Sequence, residues 1–108
     1  MTEAYREGNQ LRIILRGELD HCSAEILRVD IERYLRDEDI RHLLFDFTHV
    51  TFMDSSGIGM IIGRYKTMMR RKGRVSACAL GEETARLFRL AGLHRIIEIR
   101  QEMKTDEK

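Results

Sequence analysis

The sequence predicts a single α/β domain over residues 1–108, built on a mostly parallel mixed β-sheet of four to five strands, with the element order β-β-α-β-α-β-α-β. Three observations carry this prediction. Short apolar segments of strand character alternate with amphipathic helical stripes. Glycines and capping residues mark most of the switches between them. The chain contains no proline and no low-complexity stretch, so no linker divides its 108 residues, a length that suits one domain.

The first strand candidate covers residues 2 to 7 and turns at Gly8-Asn9, a hairpin signal, into a second. In that second strand Leu11, Ile13 and Leu15 alternate with Arg12, Ile14 and Arg16, the period of a partly buried strand. Gly17 is expected to break the run, and Asp20 to cap a helix over residues 22 to 36, where Ala24, Leu27, Ile31, Tyr34 and Leu35 fall at helical spacing. Residues 42 to 47 are short, apolar and aromatic, as in a buried central strand. After a loop, Ile58, Ile61, Ile62, Tyr65, Met68 and Met69 mark a second helix ending near Gly73. Val75 to Leu80 reads as a strand. Thr84, Leu87, Phe88 and Ala91 form a third helical stripe ended by Gly92, and Ile96 to Ile99 a last short strand. The polar residues 101–108 are expected to form a flexible tail.

Composition narrows the class. Apolar residues make up 43% and charged residues 34%, enough for one core and a solvated surface. A formal net charge of +1 gives no whole-molecule field for nucleic acid or an anionic membrane. The N-terminal residues are polar, and no run approaches the roughly 18 apolar residues that span a bilayer. Cys22 and Cys78 make no ligand pattern, and Cys78 lies in an apolar run as a reduced core residue would. A cytoplasmic protein without cofactor or metal is the expectation.

The most informative segment is Phe52-Met53-Asp54-Ser55-Ser56-Gly57-Ile58-Gly59. It sets two hydroxyls and a carboxylate at a helix N-terminus, where backbone N–H groups lack partners and the dipole favours an anion. Asp54 or Ser55 can serve as a plain cap, and residue type alone favours that role. The glycines argue for more, since each costs about 0.8–1.0 kcal/mol against alanine inside a helix, and close approach of another molecule would explain both. A phosphate on Ser55 would add about −1.5 to −2 charges there. The dipole partly compensates that charge, so its effect should fall on whatever docks over the helix start. The second segment is Gly17-Glu18-Leu19-Asp20. In a parallel α/β sheet the strand ends that precede helices gather along one rim, which would bring Asp20 near Ser55. Asp20 as a simple N-cap and Asp20 as a contact residue are compatible readings.

These two segments, with Gly63-Arg64-Tyr65-Lys66, resemble the signature of anti-sigma factor antagonists of the STAS domain family, most nearly those of the sporulation sigma-F pathway. The resemblance covers nearly the whole chain. It implies a STAS-like fold and a non-enzymatic switch. The unphosphorylated form binds an anti-sigma factor that is also a serine kinase and so releases the sigma factor. Phosphorylation of Ser55 turns the antagonist off, and a serine phosphatase restores it. Asp20, Asp54, Ser56, Gly57, Ile58 and Gly59 are the expected partner-contact residues. The family often carries a longer C-terminal helix than the short polar tail found here. A general stress-response pathway is the alternative within the family, and an enzyme using Ser55 or Ser56 as nucleophile the alternative outside it.

Other chemistries find little support. The G-x-S-x-G elbow is absent, because Met53 stands where its first glycine would be. There is no P-loop, and Gly57, Gly59 and Gly63 have the wrong spacing for a dinucleotide loop. His21 and Cys22 lack companions at zinc-ligand spacing. The basic run Arg64, Lys66, Arg70, Arg71, Lys72 and Arg74 reads as a solvated helix face with dipole complementation rather than a nucleic-acid surface, having no interleaved aromatics apart from the stripe residue Tyr65.

Overall fold

The computed structural model describes residues 2–100. The expected tail, 101–108, lies outside the described residues. Five strands form one sheet in the order of the chain: β1 (Glu3–Glu7), β2 (Gln10–Leu19), β3 (His42–Met53), β4 (Arg74–Cys78) and β5 (Glu98–Arg100). Helices α1 (His21–Tyr34), α2 (Ser55–Arg70) and α3 (Glu82–Leu90) fill the crossovers, and a 3-10 turn, Leu93–Arg95, precedes β5. β1 pairs antiparallel with β2, with Glu7 opposite Gln10, so Gly8-Asn9 is a two-residue hairpin turn. The remaining pairs are parallel. The predicted element order and mixed sheet are observed.

Strand alternation divides the sheet into two unlike faces. Leu11, Ile13 and Leu15 of β2, Leu43, Phe45 and Phe47 of β3, and Val75 and Ala77 of β4 are buried in one cluster with Leu27 and Ile31 of α1, Ile58, Ile61 and Met68 of α2, and Phe88 of α3. Phe88 meets Phe47 edge to face, with ring centroids 5.5 Å apart, a geometry favoured by the ring quadrupoles. The other face is mostly polar, although Leu44 and Cys78 are buried on it. There Asp46 is buried, accepts from Arg12 Nε at 3.1 Å and takes the Thr48 hydroxyl at 2.6 Å. These bonds hold its carboxyl below the usual range against the opposing effect of burial.

Several boundaries differ from the sequence reading. Gly17 does not end its strand. It takes φ +71°, and β2 runs on to Leu19 through a register shift. β3 is likewise longer than expected, reaching Met53, so no loop separates it from Asp54. Ten residues of β2 lie against twelve of β3, and two irregularities absorb the difference. α1 and α2 end earlier than predicted, and β4 stops at Cys78 rather than Leu80. The last strand starts later, at Glu98, because the 3-10 turn uses the preceding residues to bury Leu93 and Ile97.

Of the basic run, Lys66, Arg70, Lys72 and Arg74 are exposed, as expected of a solvated face, whereas Arg64 is buried and Arg71 turns toward the end of α1. Arg71 donates to the carbonyls of Asp37 and Ile40, each at 3.2 Å, and of Leu35 at 2.7 Å. It therefore satisfies carbonyls at and beyond the C-terminus of α1, not those of its own helix. Cys78 is a buried free thiol and Cys22 an exposed one.

On the polar face His42 Nε2 lies 2.8 Å from Ser76 Oγ, whose hydroxyl donates to Glu98 Oε1 at 2.8 Å. With the serine proton given to Glu98, the histidine contact is satisfied when Nε2 carries the proton. Burial, helped by Arg74 and Arg100 and opposed by Glu98, pulls the His42 pKa from 6.5 down to about 4. The folded state thus favours the neutral ring and binds fewer protons than the unfolded chain between those values. This contribution is complete above pH 6.5 and declines as pH falls toward 4. Thermal unfolding measured from pH 7.5 to 4.5 is expected to show this decline in the wild type and a flatter profile in His42→Gln. An equal slope in both would contradict the assignment.

Candidate functional site

The site grows from the ends of β2 and β3. Leu19 pairs with Met53, and the Asp54 amide donates to the Leu19 carbonyl at 3.3 Å. One residue beyond that pair, each strand delivers an aspartate that caps a helix. Asp20 caps α1 in a reciprocal arrangement: the Ser23 amide donates to Asp20 Oδ1 at 3.0 Å, and the Asp20 amide donates to Ser23 Oγ at 3.0 Å. Bonds from Ser23 lower the Asp20 pKa, so the cap is a carboxylate at neutral pH. Asp54 caps α2, its Oδ1 accepting from the Ser56 amide at 2.8 Å. The two helices start side by side along the rim, their positive dipole ends facing the same way. The sequence-predicted residues Asp20, Asp54, Ser55, Ser56, Gly57, Ile58 and Gly59 all fall in this junction.

Within it they take different positions. Asp54 is the cap, so Ser55 is not used for that purpose. Ser55 is exposed at the first residue of α2, and its hydroxyl makes no hydrogen bond among the described residues. Ser56 is half-buried, while Gly57 and Ile58 are buried. The two glycines have separate explanations, where the sequence offered one for both. A Cβ on Gly57 would stand 2.5 Å from Met53 Cγ and 3.3 Å from Leu19 Cβ, so close packing of α2 on the strand ends requires glycine there. A Cβ on Gly59 would meet nothing within 4 Å, and Gly59 is exposed.

Two grooves open near the β3–α2 junction. One runs between α1 and α2 and is lined by His21, Glu25, Arg28, Ser56, Gly59 and Arg64. The other lies between the end of β3 and α3, with Phe52, Thr84, Leu87 and Leu90 among its walls. Phe52 is 51% exposed and Leu90 74% exposed, so this second groove carries apolar surface. Phe52 lies in the motif but drew no assignment from the sequence. In the sequence it falls in the loop expected after residue 47, whereas β3 runs through it and leaves it exposed. Leu90 carries no local signal at all, since its position depends on where α3 settles.

No hydrogen bond joins Ser55 or Ser56 to a histidine among the described residues. The one Ser–His–acid chain among the described residues, Ser76 with His42 and Glu98, lies near the opposite end of the sheet, and Ser76 is fully buried. Among the described residues no group of three or more His, Cys, Asp or Glu side chains could hold a metal ion. None of the helices is long and apolar enough to cross a membrane.

The chain belongs to the STAS domain family, whose sequence profile matches residues 2–105. Its relatives include anti-sigma F and anti-sigma-B factor antagonists. The chain is 33% identical to the anti-sigma F factor antagonist of Paenibacillus polymyxa, over 82% of this chain and 76% of that protein. It is 34% identical to the anti-sigma-B factor antagonist of Listeria monocytogenes, over 88% of this chain and 82% of that one. Its fold matches that of the Bacillus cell fate determinant SpoIIAA, solved in the phosphorylated form, with a TM-score of 0.76 at 25% identity, covering 94% of this chain and 93% of that one.

The two glycines give a paired test. Gly57→Ala should lower the thermal midpoint despite alanine's better helix propensity, because Met53 or the helix must move. Gly59→Ala should leave the midpoint unchanged or raise it, by up to about 1 kcal/mol of stability. Thermal or urea denaturation of both variants reads this directly, and a destabilised Gly59→Ala would show that Gly59 is also held by the fold.

Proposed function

We propose that this protein is an anti-sigma factor antagonist whose binding to an anti-sigma factor serine kinase is switched off by phosphorylation of Ser55. The observation that carries the reading is the state of that serine. It is exposed at the first position of α2 and free of hydrogen bonds, because Asp54 has taken the capping role. A kinase can reach it without dismantling the helix. The anti-sigma factor antagonists among its relatives, and the phosphorylated form of a structural neighbour, point the same way.

The surface around Ser55 supplies what a docking partner needs. Gly59 leaves open space on the first turn of α2, Phe52 and Leu90 offer apolar contact, and the Asp20 and Asp54 carboxylates bring charge. Gly57 and Ile58 are buried beneath this surface, so they shape it rather than present side chains to a partner. A phosphate on Ser55 adds about −1.5 to −2 charges beside Asp54. The α2 dipole favours an anion at that point, so the fold tolerates the change while an approaching partner meets added bulk and negative charge. A serine phosphatase resets the switch, and the exchange takes place in the cytoplasm without nucleic acid or membrane. The chain acts by binding and not as an enzyme. Sporulation control through sigma F is the reading adopted, and the 34% identical sigma-B relative favours a general stress-response pathway as the second.

Incubation with ATP and the cognate anti-sigma kinase, followed by intact-mass measurement and site mapping, tests the reading. A single phosphate on Ser55, absent from Ser55→Ala, is expected, with Ser55→Ala still binding the kinase. An active kinase that leaves Ser55 unmodified would remove the switch.

A further inference from the structure

Arg64, the second residue of the Gly63-Arg64-Tyr65-Lys66 segment, departs furthest from its sequence reading. Instead of joining a solvated face, its side chain is only 8% exposed. Its Nη2 reaches Glu32 Oε2 at 3.1 Å, but Nε and Nη1 are buried and have no hydrogen-bond partner among the described residues. A guanidinium carries five N–H donors and stays charged, so burying it with two nitrogens unmatched is unfavourable. Burial accordingly disfavours its charged form, and Glu32 only partly opposes that effect.

The compensation from Glu32 is incomplete for a visible reason. That carboxylate is 44% exposed, and its Oε1 is already taken by Arg28 Nη1 at 3.0 Å. Arg28 also bonds Glu25 through Nε at 3.1 Å. One partly solvated carboxylate is therefore shared between two guanidinium groups. Arg64 forms part of the wall of the α1–α2 groove, with Arg28, His21, Ser56 and Gly59. The Glu25 carboxylate in the same lining is engaged by Arg28, and the open space at Gly59 leaves the α2 wall unobstructed.

We infer that the α1–α2 groove is a binding site for a small oxyanion, a carboxylate or a phosphate group, whose oxygens accept from Arg64 Nε and Nη1. Both N–H groups are sealed from solvent, so the anion gains them as the groove widens. The surface pair Arg28–Glu25 permits this, because exposed ion pairs are held weakly. The inference stands apart from the switch at Ser55, since it concerns the isolated chain.

The test is a titration of the 15N-labelled chain with inorganic phosphate and, separately, with acetate, each replacing chloride at constant ionic strength. The Arg64 Nε–Hε signal and the Gly59 and Met60 amides are followed. A saturable shift with at least one anion is expected, lost in Arg64→Met. It should appear at least threefold tighter in Glu32→Gln, where the competing carboxylate charge is gone. Saturation by both anions assigns a group the size of an Asp or Glu side chain, as a docked protein would supply. Saturation by phosphate alone assigns a phosphate group. No saturable shift with either anion would overturn the inference, as would a shift that persists in Arg64→Met. Should Arg64→Met fail to fold, the comparison of Glu32→Gln with wild type decides, and unchanged or weaker affinity would overturn it.

Discussion

The pairing of β2 with β3 is the constraint on which the rest of the molecule depends. Its register starts with Gln10 opposite His42 and ends with Leu19 opposite Met53. Because β3 spends twelve residues where β2 spends ten, the two irregularities along the pair are needed to bring the strand ends level. Only then do Asp20 and Asp54 follow directly as caps of neighbouring helices. Gly57 locks the same junction from the helix side, since its missing Cβ lets α2 sit against Met53 and Leu19. A slip in register would turn the strand's core residues outward and separate the two helix starts at once.

The two ends of the sheet have been given different work. Near its N-terminal end, His42, Ser76 and Glu98 tie β3, β4 and β5 together, and Arg71 closes carbonyls after α1. His42 and Ser76 are buried, Glu98 ties to Ser76 from the surface and Arg71 engages backbone, so these groups stabilise the fold. Around the rim at the other end, Asp20 and Asp54 are used internally, while Ser55, Gly59 and Phe52 remain exposed. A charge added at Ser55 lands on a helix start already shaped to accept an anion. The physical consequence falls on the surface above it more than on the core below.

Much of this was legible in the sequence wherever the information was local. The hairpin at Gly8-Asn9, the capping aspartates and most of each helical stripe depend on near neighbours and appear as expected, while the stripe residues Tyr34, Met69 and Ala91 are exposed at or near the helix ends. Gly17 misled because a glycine inside a strand can mark a bulge as well as an end; the partner strand decides, and that partner lies more than thirty residues on. β3 looked short because its second half, Thr48 to Thr51, is mostly polar and half-exposed, although it still pairs with β2. Arg64 and Arg71 looked like members of one basic face, yet each is directed by an acceptor on α1 or the segment after it. Gly57 and Gly59 looked alike for the same reason: what separates them is Met53 and Leu19, which only the fold brings into contact.

The central claim is that phosphorylation at Ser55 abolishes docking while leaving the fold in place. The most direct measurement is calorimetric titration of the anti-sigma kinase with the unmodified and the Ser55-phosphorylated chain, alongside 15N–1H spectra of both forms. The account predicts that binding falls at least a hundredfold on phosphorylation, with amide shifts confined to residues near the start of α2. Retained affinity, or spectral change spread through the core around Phe45 and Ile61, would contradict it.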